Sequence, residues 1–102
     1  MIKHPPKRLQ GVLWSVSVDK LDLQKDKNYI INQVLAFGSL TELKWLFKTY
    51  AKTIVREIFI THPQKEYTRP AFNYWSNVIF KLENSHLSPN KYVRDLPRDI
   101  RS

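Results

Sequence analysis

Histidines and aspartates are the residues of this sequence that could hold a metal ion. The histidines are far apart along the chain, whereas helical zinc sites use closely spaced pairs of ligands, so we interpret them as solvated loop or tail residues. They are His4, His62 and His86. Asp19, Asp22 and Asp26 are closer together, but lysines alternate with them, and helix capping and dipole compensation account for Asp22 and Asp26. We therefore predict no metal site and no cofactor.

A glycine–serine pair at Gly38 and Ser39 resembles the start of the active-site motif of nucleotidyltransferases. That chemistry also needs a downstream Asp-x-Asp pair to hold magnesium, and residues 40–70 contain no aspartate. Because the chain has no cysteine, it has no thiol nucleophile either. We expect Gly38 to end one helix in the left-handed conformation and Ser39 to begin the next. The chain is predicted not to be an enzyme.

Residues suited to binding are more evident. Lys44, Lys48, Lys52 and Arg56 follow one another at intervals of four residues, which places neighbouring members on one side of a helix. Trp45 lies beside them on the predicted outward face, where an aromatic ring among lysines suits stacking on a base or anchoring a protein interface. The alternative for Trp45 is that the Val12–Val18 segment covers it within the same chain.

The four cations also suggest that the two helices that carry them form a helix-turn-helix-like motif. If the two helices that carry them meet at a sharp turn near residues 51–53, the pair resembles that DNA-binding motif, and the cations become candidate nucleic-acid-binding residues. A recognition helix should expose several polar side chains to base edges. The segment 54–60 is mostly apolar, so we keep sequence-specific DNA binding as the alternative function.

The composition describes a small, basic domain. The chain has 102 residues, a formal net charge of +8, 42% hydrophobic residues and no cysteine. This length suits one domain, and the hydrophobic content is too high for a disordered tail. The absence of cysteine fits a reducing cytoplasm, and no apolar run approaches the ~18 residues of a membrane span. The positive charge attracts acidic partners of any kind, including DNA, RNA or an acidic protein.

Hydrophobic spacing predicts an all-α fold, a small four-helix bundle. Asp22 is the expected N-cap of a first helix that runs to about Phe37. A second helix is predicted over 40–50, behind a capping box formed by Ser39 and Glu42. The predicted core residues of these two helices are Ile30, Ile31, Val34, Leu35, Leu43, Leu46, Phe47 and Tyr50.

Two shorter helices follow in the predicted bundle. Thr53 is the expected cap of a third helix over 54–60, which ends before Pro63 because the residue before a proline avoids the α region. The fourth helix begins at Thr68, with Pro70 in its first turn, where the missing amide costs nothing. Its predicted core residues are Phe72, Trp75, Ile79 and Leu82.

Both ends of the chain are predicted to lie outside this helical domain of residues 22–83. In the arm, residues 1–21, valines and a tryptophan alternate with other residues from Val12 to Val18, which is typical of an extended segment. Such a segment either crosses the helices without joining a sheet or pairs with another chain, as in a homodimer. Prolines and scattered apolar residues predict a loosely attached tail over 84–102.

Several stretches of the sequence, taken together, are similar to a known family. They are Leu13-Trp14, Val18-Asp19-Lys20-Leu21-Asp22, Tyr29-Ile30-Ile31, Val34-Leu35, Phe37-Gly38, Leu43-Lys44-Trp45-Leu46-Phe47-Lys48-Thr49-Tyr50 and Phe72-Asn73-Tyr74-Trp75. They resemble a family of short, largely uncharacterised bacterial helical proteins whose genes often lie beside one for an AbiEii-type nucleotidyltransferase toxin. The resemblance covers about residues 13–75. Relatives commonly carry Trp-Asp-x-Asp where this chain has Trp14-Ser15-Val16-Ser17.

The resemblance implies an antitoxin-type protein that binds and neutralises the toxin encoded by the adjacent gene. We expect the arm and the tail to supply the contacts, with the arm adding a strand to a sheet edge of the toxin and cations pairing with its carboxylates. The candidate partner-binding residues are Lys7, Arg8, Trp14, Val16, Trp45, Tyr92, Arg94 and Arg98. The alternative is a helix-turn-helix-like regulator that binds the DNA of its own operon through Lys44, Lys48, Lys52 and Arg56.

Overall fold

The computed structural model describes residues 4–81 and 89–93, and the named elements of that part are all helical, which confirms the all-α fold class. Four α-helices are joined by short loops, and a π-helical turn continues directly from the last of them. The α-helices are α1 (Lys27–Phe37), α2 (Leu40–Thr49), α3 (Lys52–Thr61) and α4 (Arg69–Asn73), and the π-helical turn is Tyr74–Ile79. Single 3₁₀ turns are formed by Lys7–Leu9, Val18–Lys20 and Pro89–Lys91.

Helix α1 lies at the centre of the bundle and packs against α2, α3 and α4. Six consecutive residues, 30–35, are buried, as expected for a helix that is covered on all sides. The predicted core residues Ile30, Ile31, Val34 and Leu35 are confirmed. The two polar residues between them, Asn32 and Gln33, are buried as well, and each finds hydrogen-bond partners outside its own helical turn.

The start of α1 differs from the prediction. Asp22 was expected to cap the helix, but its Oδ1 accepts the backbone amides of Gln24 and Lys25, both at 2.8 Å. The Oδ2 atom of Asp26 in turn accepts the Asp22 amide at 2.8 Å. Asp22 therefore closes a turn that precedes the helix, and α1 begins at Lys27 with Asp26 at its N-cap.

The junction between α1 and α2 confirms one prediction and corrects another. The capping box is present, because the Ser39 side chain accepts the Glu42 backbone amide and Glu42 Oε1 accepts the Ser39 amide at 2.7 Å. The Ser39 hydroxyl also donates to Glu42 Oε1 at 2.6 Å. Gly38, expected in the left-handed conformation, instead has φ −74° and ψ 148°. A Cβ at this position would lie 2.6 Å from Val34 O, so the glycine is required by close backbone approach.

Helices α3 and α4 begin in different ways. The predicted cap Thr53 is wrong: α3 starts at Lys52 with Ala51 as N-cap, because the Ala51 carbonyl already accepts the amides of residues 54 and 55. The start of α4 is confirmed, since Thr68 Oγ1 accepts the Ala71 amide at 3.2 Å and Pro70 lies in the first turn.

The N-terminal segment is not an extended arm. Its turns are organised by Gln10, whose side-chain amide donates to Leu13 O and Val16 O while its Oε1 accepts the Val18 amide at 2.9 Å. Lys7–Leu9 and Val18–Lys20 form 3₁₀ turns and Leu9, Leu13 and Val18 are buried, so the extended conformation is wrong. Of the two arrangements predicted for this segment, the structure shows the one in which it lies against the helices without joining a sheet. A strand offered to another chain would first have to give up these contacts.

Residues 89–93 correct the expectation of a loosely attached tail. Tyr92 and Val93 are buried, and Tyr92 O accepts the Tyr67 amide at 2.8 Å. The Tyr92 hydroxyl also donates to Phe59 O at 2.7 Å, and its ring packs at a tilt of 39° against those of Phe59 and Phe72. This part of the chain therefore completes the core beside α3 and α4.

Candidate functional site

An open cavity of about 560 Å³ separates α2 from the π-helical turn. Its floor and walls are mainly apolar, and lysines lie along its edge. We call it the lysine-rimmed groove, and it is lined by Leu40, Leu43, Lys44, Phe47, Lys48, Lys52, Tyr74, Trp75 and Ile79.

Helix α2 supplies one wall of the groove through residues at helical spacing. Leu40, Leu43 and Phe47 follow one another at three and four residues and so lie on one side of the helix. Leu40 is 68% exposed and adds to the apolar surface of this wall. The stretch from Leu40 to Lys48 runs along ~12 Å of helix, at about 1.5 Å per residue.

The floor of the groove is held rigidly by Trp75. Its indole Nε1 donates to Leu35 O at 2.8 Å within the core, and its ring centroid lies 6.3 Å from that of Phe47. Only 5% of Trp75 is exposed, so the indole supports the floor without offering a free ring face.

The opposite wall is the π-helical turn, which the sequence did not predict. The Phe80 amide donates to Trp75 O at 2.9 Å, five residues earlier, as in a π-helix. This wider turn leaves Tyr74 49% exposed at the groove and Val78 57% exposed outside its lining. Single π-helical turns occur often at functional sites.

The charged residues that line the groove are lysines. Lys44, Lys48 and Lys52 are exposed along it. Among the residues that the structure describes, none of those lining the groove is acidic. An apolar floor with a positive edge suits a ligand that carries apolar groups together with negative charge.

A second cavity of about 360 Å³ shares lining residues with the first, and cations make up three of its six lining residues. Lys52, Arg56 and Lys81 line it together with the hydroxyl-bearing Thr53. Lys81 has a φ of 54°, in the left-handed region, where it ends the π-helical turn. We call this cavity the basic pocket, and it is lined by Lys52, Thr53, Arg56, Ile79, Phe80 and Lys81.

The structure thus brings together the four cations that the sequence singled out for nucleic acid. All four are exposed; Lys44 and Lys48 line the groove, Arg56 lines the basic pocket, and Lys52 lines both cavities. Leu40 and Tyr74 were missed as site residues. Exposure of Leu40 could have been predicted, because it directly follows the Ser39 cap and so occupies the first position of the helix.

The predicted partner-binding residues are scattered. Lys7 and Arg8 are exposed on the first 3₁₀ turn, and Trp14 and Val16 are exposed on the turns that follow. The Trp14 ring lies edge-on to Phe37, with the ring centroids 4.7 Å apart. None of these residues lines the groove or the basic pocket.

The remaining predicted partner residues have other positions. Trp45 is half-buried, with its ring edge-on to Tyr50 at 6.4 Å, and it does not line the groove. Tyr92 is a core residue and offers no surface to a partner, because its ring and hydroxyl are both engaged inside the bundle. Arg94 and Arg98, like Leu82 and His86, lie outside the described residues.

In residues 4–81 and 89–93, no group of three or more histidines and carboxylates is arranged to hold a metal ion. The helices of the same residues are too short or too polar to cross a membrane.

Comparison with known protein families gives a match over the first half of the chain. The model of a family described as a family of unknown function (DUF6922) matches residues 9–59, half of the chain. The matched range runs from the end of the first 3₁₀ turn through α1 and the α2 wall of the groove into α3, and ends before the π-helical turn. No curated protein and no solved structure matches the chain.

Proposed function

The chain belongs to this family of unknown function (DUF6922), and from its surface we propose that it is a non-enzymatic binding protein of the antitoxin type. It binds a nucleotidyltransferase toxin encoded by the adjacent gene and neutralises it by direct contact. The lysine-rimmed groove is the observation that supports binding. The resemblance of residues 13–75 to proteins encoded beside AbiEii-type toxins supports the choice of partner.

The groove has the properties of an interface on a small protein. Leu40 and Tyr74 expose large apolar areas on facing walls, and apolar patches with polar edges commonly mark protein interaction sites. Because Trp75 is anchored by its hydrogen bond to Leu35 O, the floor does not need to reorganise when a partner docks. A preformed apolar groove therefore supports binding of a protein segment.

The charge supports an acidic partner. A nucleotidyltransferase carries carboxylates that hold its metal ions, and the exposed lysines of the groove would attract and pair with such groups. Occupation of those carboxylates by lysine would displace metal and substrate, which is how binding would silence the toxin.

The test is complex formation between the purified chain and the nucleotidyltransferase encoded by the adjacent gene. We expect the double variant Leu40→Ser/Tyr74→Ser to weaken the complex by roughly tenfold per side chain, since each removes an apolar anchor. Val78→Ser is the matched control, because Val78 is 57% exposed on the same turn but does not line the groove.

Three results would contradict the proposal. They are no complex with the tag on either protein, a complex that the double variant leaves unchanged, and an equal loss in Val78→Ser. Circular dichroism of all variants shows whether the helices are intact.

A DNA-binding regulator of its own operon is the second candidate. The observation that favours it concerns α3, whose apolar residues Val55, Ile58 and Phe59 are buried, so that Lys52 and Arg56 remain on the exposed face. Operator binding should weaken in Lys48→Ala/Lys52→Ala, and the salt slope should fall by ~1 per lost phosphate contact. Operator binding that is unchanged by both substitutions would show that this surface does not bind DNA.

A further inference from the structure

We infer that the groove and the basic pocket form one continuous site for a partner segment that is apolar at one end and carboxylate-bearing at the other. The inference rests on the proposed function and names the chemistry of the segment that the groove receives.

Continuity follows from the shared walls of the two cavities. Lys52, at the start of α3, and Ile79, at the end of the π-helical turn, line both of them. A segment lying along α2 in the groove therefore passes these two side chains and enters the basic pocket. The length of the α2 wall, ~12 Å, corresponds to about two turns of a docked helix.

The two ends of this site differ in chemistry. Six of the nine residues that line the groove are aliphatic or aromatic and three are lysines. The smaller pocket collects three cations, since Lys52 and Arg56 are four residues apart on α3 and Lys81 faces them from the end of the π-helical turn. Like charges at this spacing repel one another, and an anion between them relieves that repulsion. The carboxylates of the segment therefore belong in the basic pocket.

A protein segment suits this site better than a nucleic acid strand. Stacking of successive bases needs several accessible ring faces, but of the aromatic residues lining the groove Trp75 is only 5% exposed and Phe47 is partly buried, which leaves Tyr74 as the exposed ring. Leu40, Leu43 and Ile79 add aliphatic surface, which complements leucine-like side chains rather than sugars and phosphates. In a protein segment with carboxylates at one end, the apolar part can occupy the groove while the carboxylates pair with the cations of the basic pocket.

The experiment is selection of a random peptide library displayed on phage against the full chain and three variants. Arg56→Gln/Lys81→Asn removes two cations of the basic pocket, and asparagine tolerates the left-handed backbone at 81. Arg69→Gln/Lys65→Asn is the matched control, since both residues are exposed and line neither cavity. The third variant is the groove double variant Leu40→Ser/Tyr74→Ser.

We expect the wild-type chain and the matched control to enrich peptides with an apolar cluster followed by acidic residues. The basic-pocket variant should still enrich the apolar cluster but lose the acidic end, and it should bind the wild-type peptide about tenfold more weakly with a smaller salt dependence. The groove variant should lose the apolar cluster.

The outcomes separate this inference from the proposed function. Acidic enrichment that persists in the basic-pocket variant overturns the inference, whereas the proposed function stands if the groove variant still loses apolar peptides. Unchanged selection by the groove variant, or no enrichment by the wild-type chain, overturns both. A single-stranded oligonucleotide that displaces the selected peptide and depends on Arg56 and Lys81 assigns the pocket to nucleic acid and overturns the inference.

Discussion

The hydroxyl of Tyr67 donates a hydrogen bond of 2.7 Å to the side-chain oxygen of Asn32 inside the core. The Asn32 amide nitrogen donates in turn to Asn28 O at 2.9 Å and His62 O at 3.0 Å. Through these hydrogen bonds, Asn32 of the central helix α1 links that helix both to the end of α3 and to the segment that leads to α4.

Tyr67→Phe should destabilise the protein by about 1–3 kcal/mol, because it leaves the buried Asn32 oxygen without its donor. Urea unfolding followed by circular dichroism measures the change. Tyr74→Phe is the control, since Tyr74 is exposed and should change the free energy of unfolding very little. Equal stability of the two variants would show that the buried hydrogen bond contributes nothing.

Gly38→Ala should also destabilise the protein, by about 1–3 kcal/mol, because the added Cβ meets tightly packed neighbours. It would lie 2.6 Å from Val34 O and 3.2 Å from Glu42 Cβ, so both α1 and α2 would have to shift. Gly11→Ala is the matched control, because nothing lies within 4 Å of its Cβ position. Thermal unfolding compares the two, and a Gly38→Ala melting temperature equal to that of Gly11→Ala would refute the packing explanation.

The stability of the fold should decline in alkaline solution from about pH 10, where tyrosines of the unfolded chain begin to ionise. Burial raises the pKa of Tyr92 to about 12, and burial also holds the pKa of Tyr67 well above its usual value of 10. The unfolded chain then binds fewer protons than the folded one, so the free energy of unfolding falls as the pH rises.

Tyr92→Phe isolates one of these titrations. It removes the hydrogen bond to Phe59 O and lowers stability at neutral pH, but its unfolding free energy should fall less steeply between pH 10 and 12. Denaturant unfolding at a series of pH values gives the slope. An unchanged slope in the variant would mean that Tyr92 ionises equally in the folded and unfolded chains.

The capping box predicts that the stability of the fold also declines in acid, as the pH falls. Hydrogen bonds from the Ser39 side chain and backbone hold the pKa of Glu42 below its usual 4.5. This stabilisation is present above the unfolded pKa and is lost as the pH falls through the folded pKa. Ser39→Ala should cost ~1 kcal/mol at neutral pH and less in acid. A cost that is the same at pH 7 and at pH 3 would contradict the charge-assisted cap.

Features that depend on neighbouring residues were predictable from the sequence. The capping box, the proline in the first turn of α4 and the helical spacing of Ile30, Ile31, Val34 and Leu35 are each specified within a few residues. The stripe of Lys44, Lys48 and Lys52 was visible for the same reason. The prediction that Thr53 caps α3 was wrong, because the Ala51 carbonyl accepts the first amides of the helix and α3 therefore begins before Thr53.

Features that depend on distant partners were not predictable. The turns around Gln10 replace an apparent strand because burial of Leu9 and Leu13 against the bundle outweighs the alternation of residue types. Tyr92 looked like a tail residue, since its partner Phe59 O is 33 residues away.

The sequence by itself therefore determined the all-α fold class, the approximate positions of the four helices in the described residues and the spacing of the cations. The tertiary structure alone decided where those cations lie, because it sets α2 across from the π-helical turn and places Lys52 between two cavities. The physical reason is range: caps and helical periodicity act over about one turn, whereas a groove exists only when two elements far apart in the chain leave apolar surface between them.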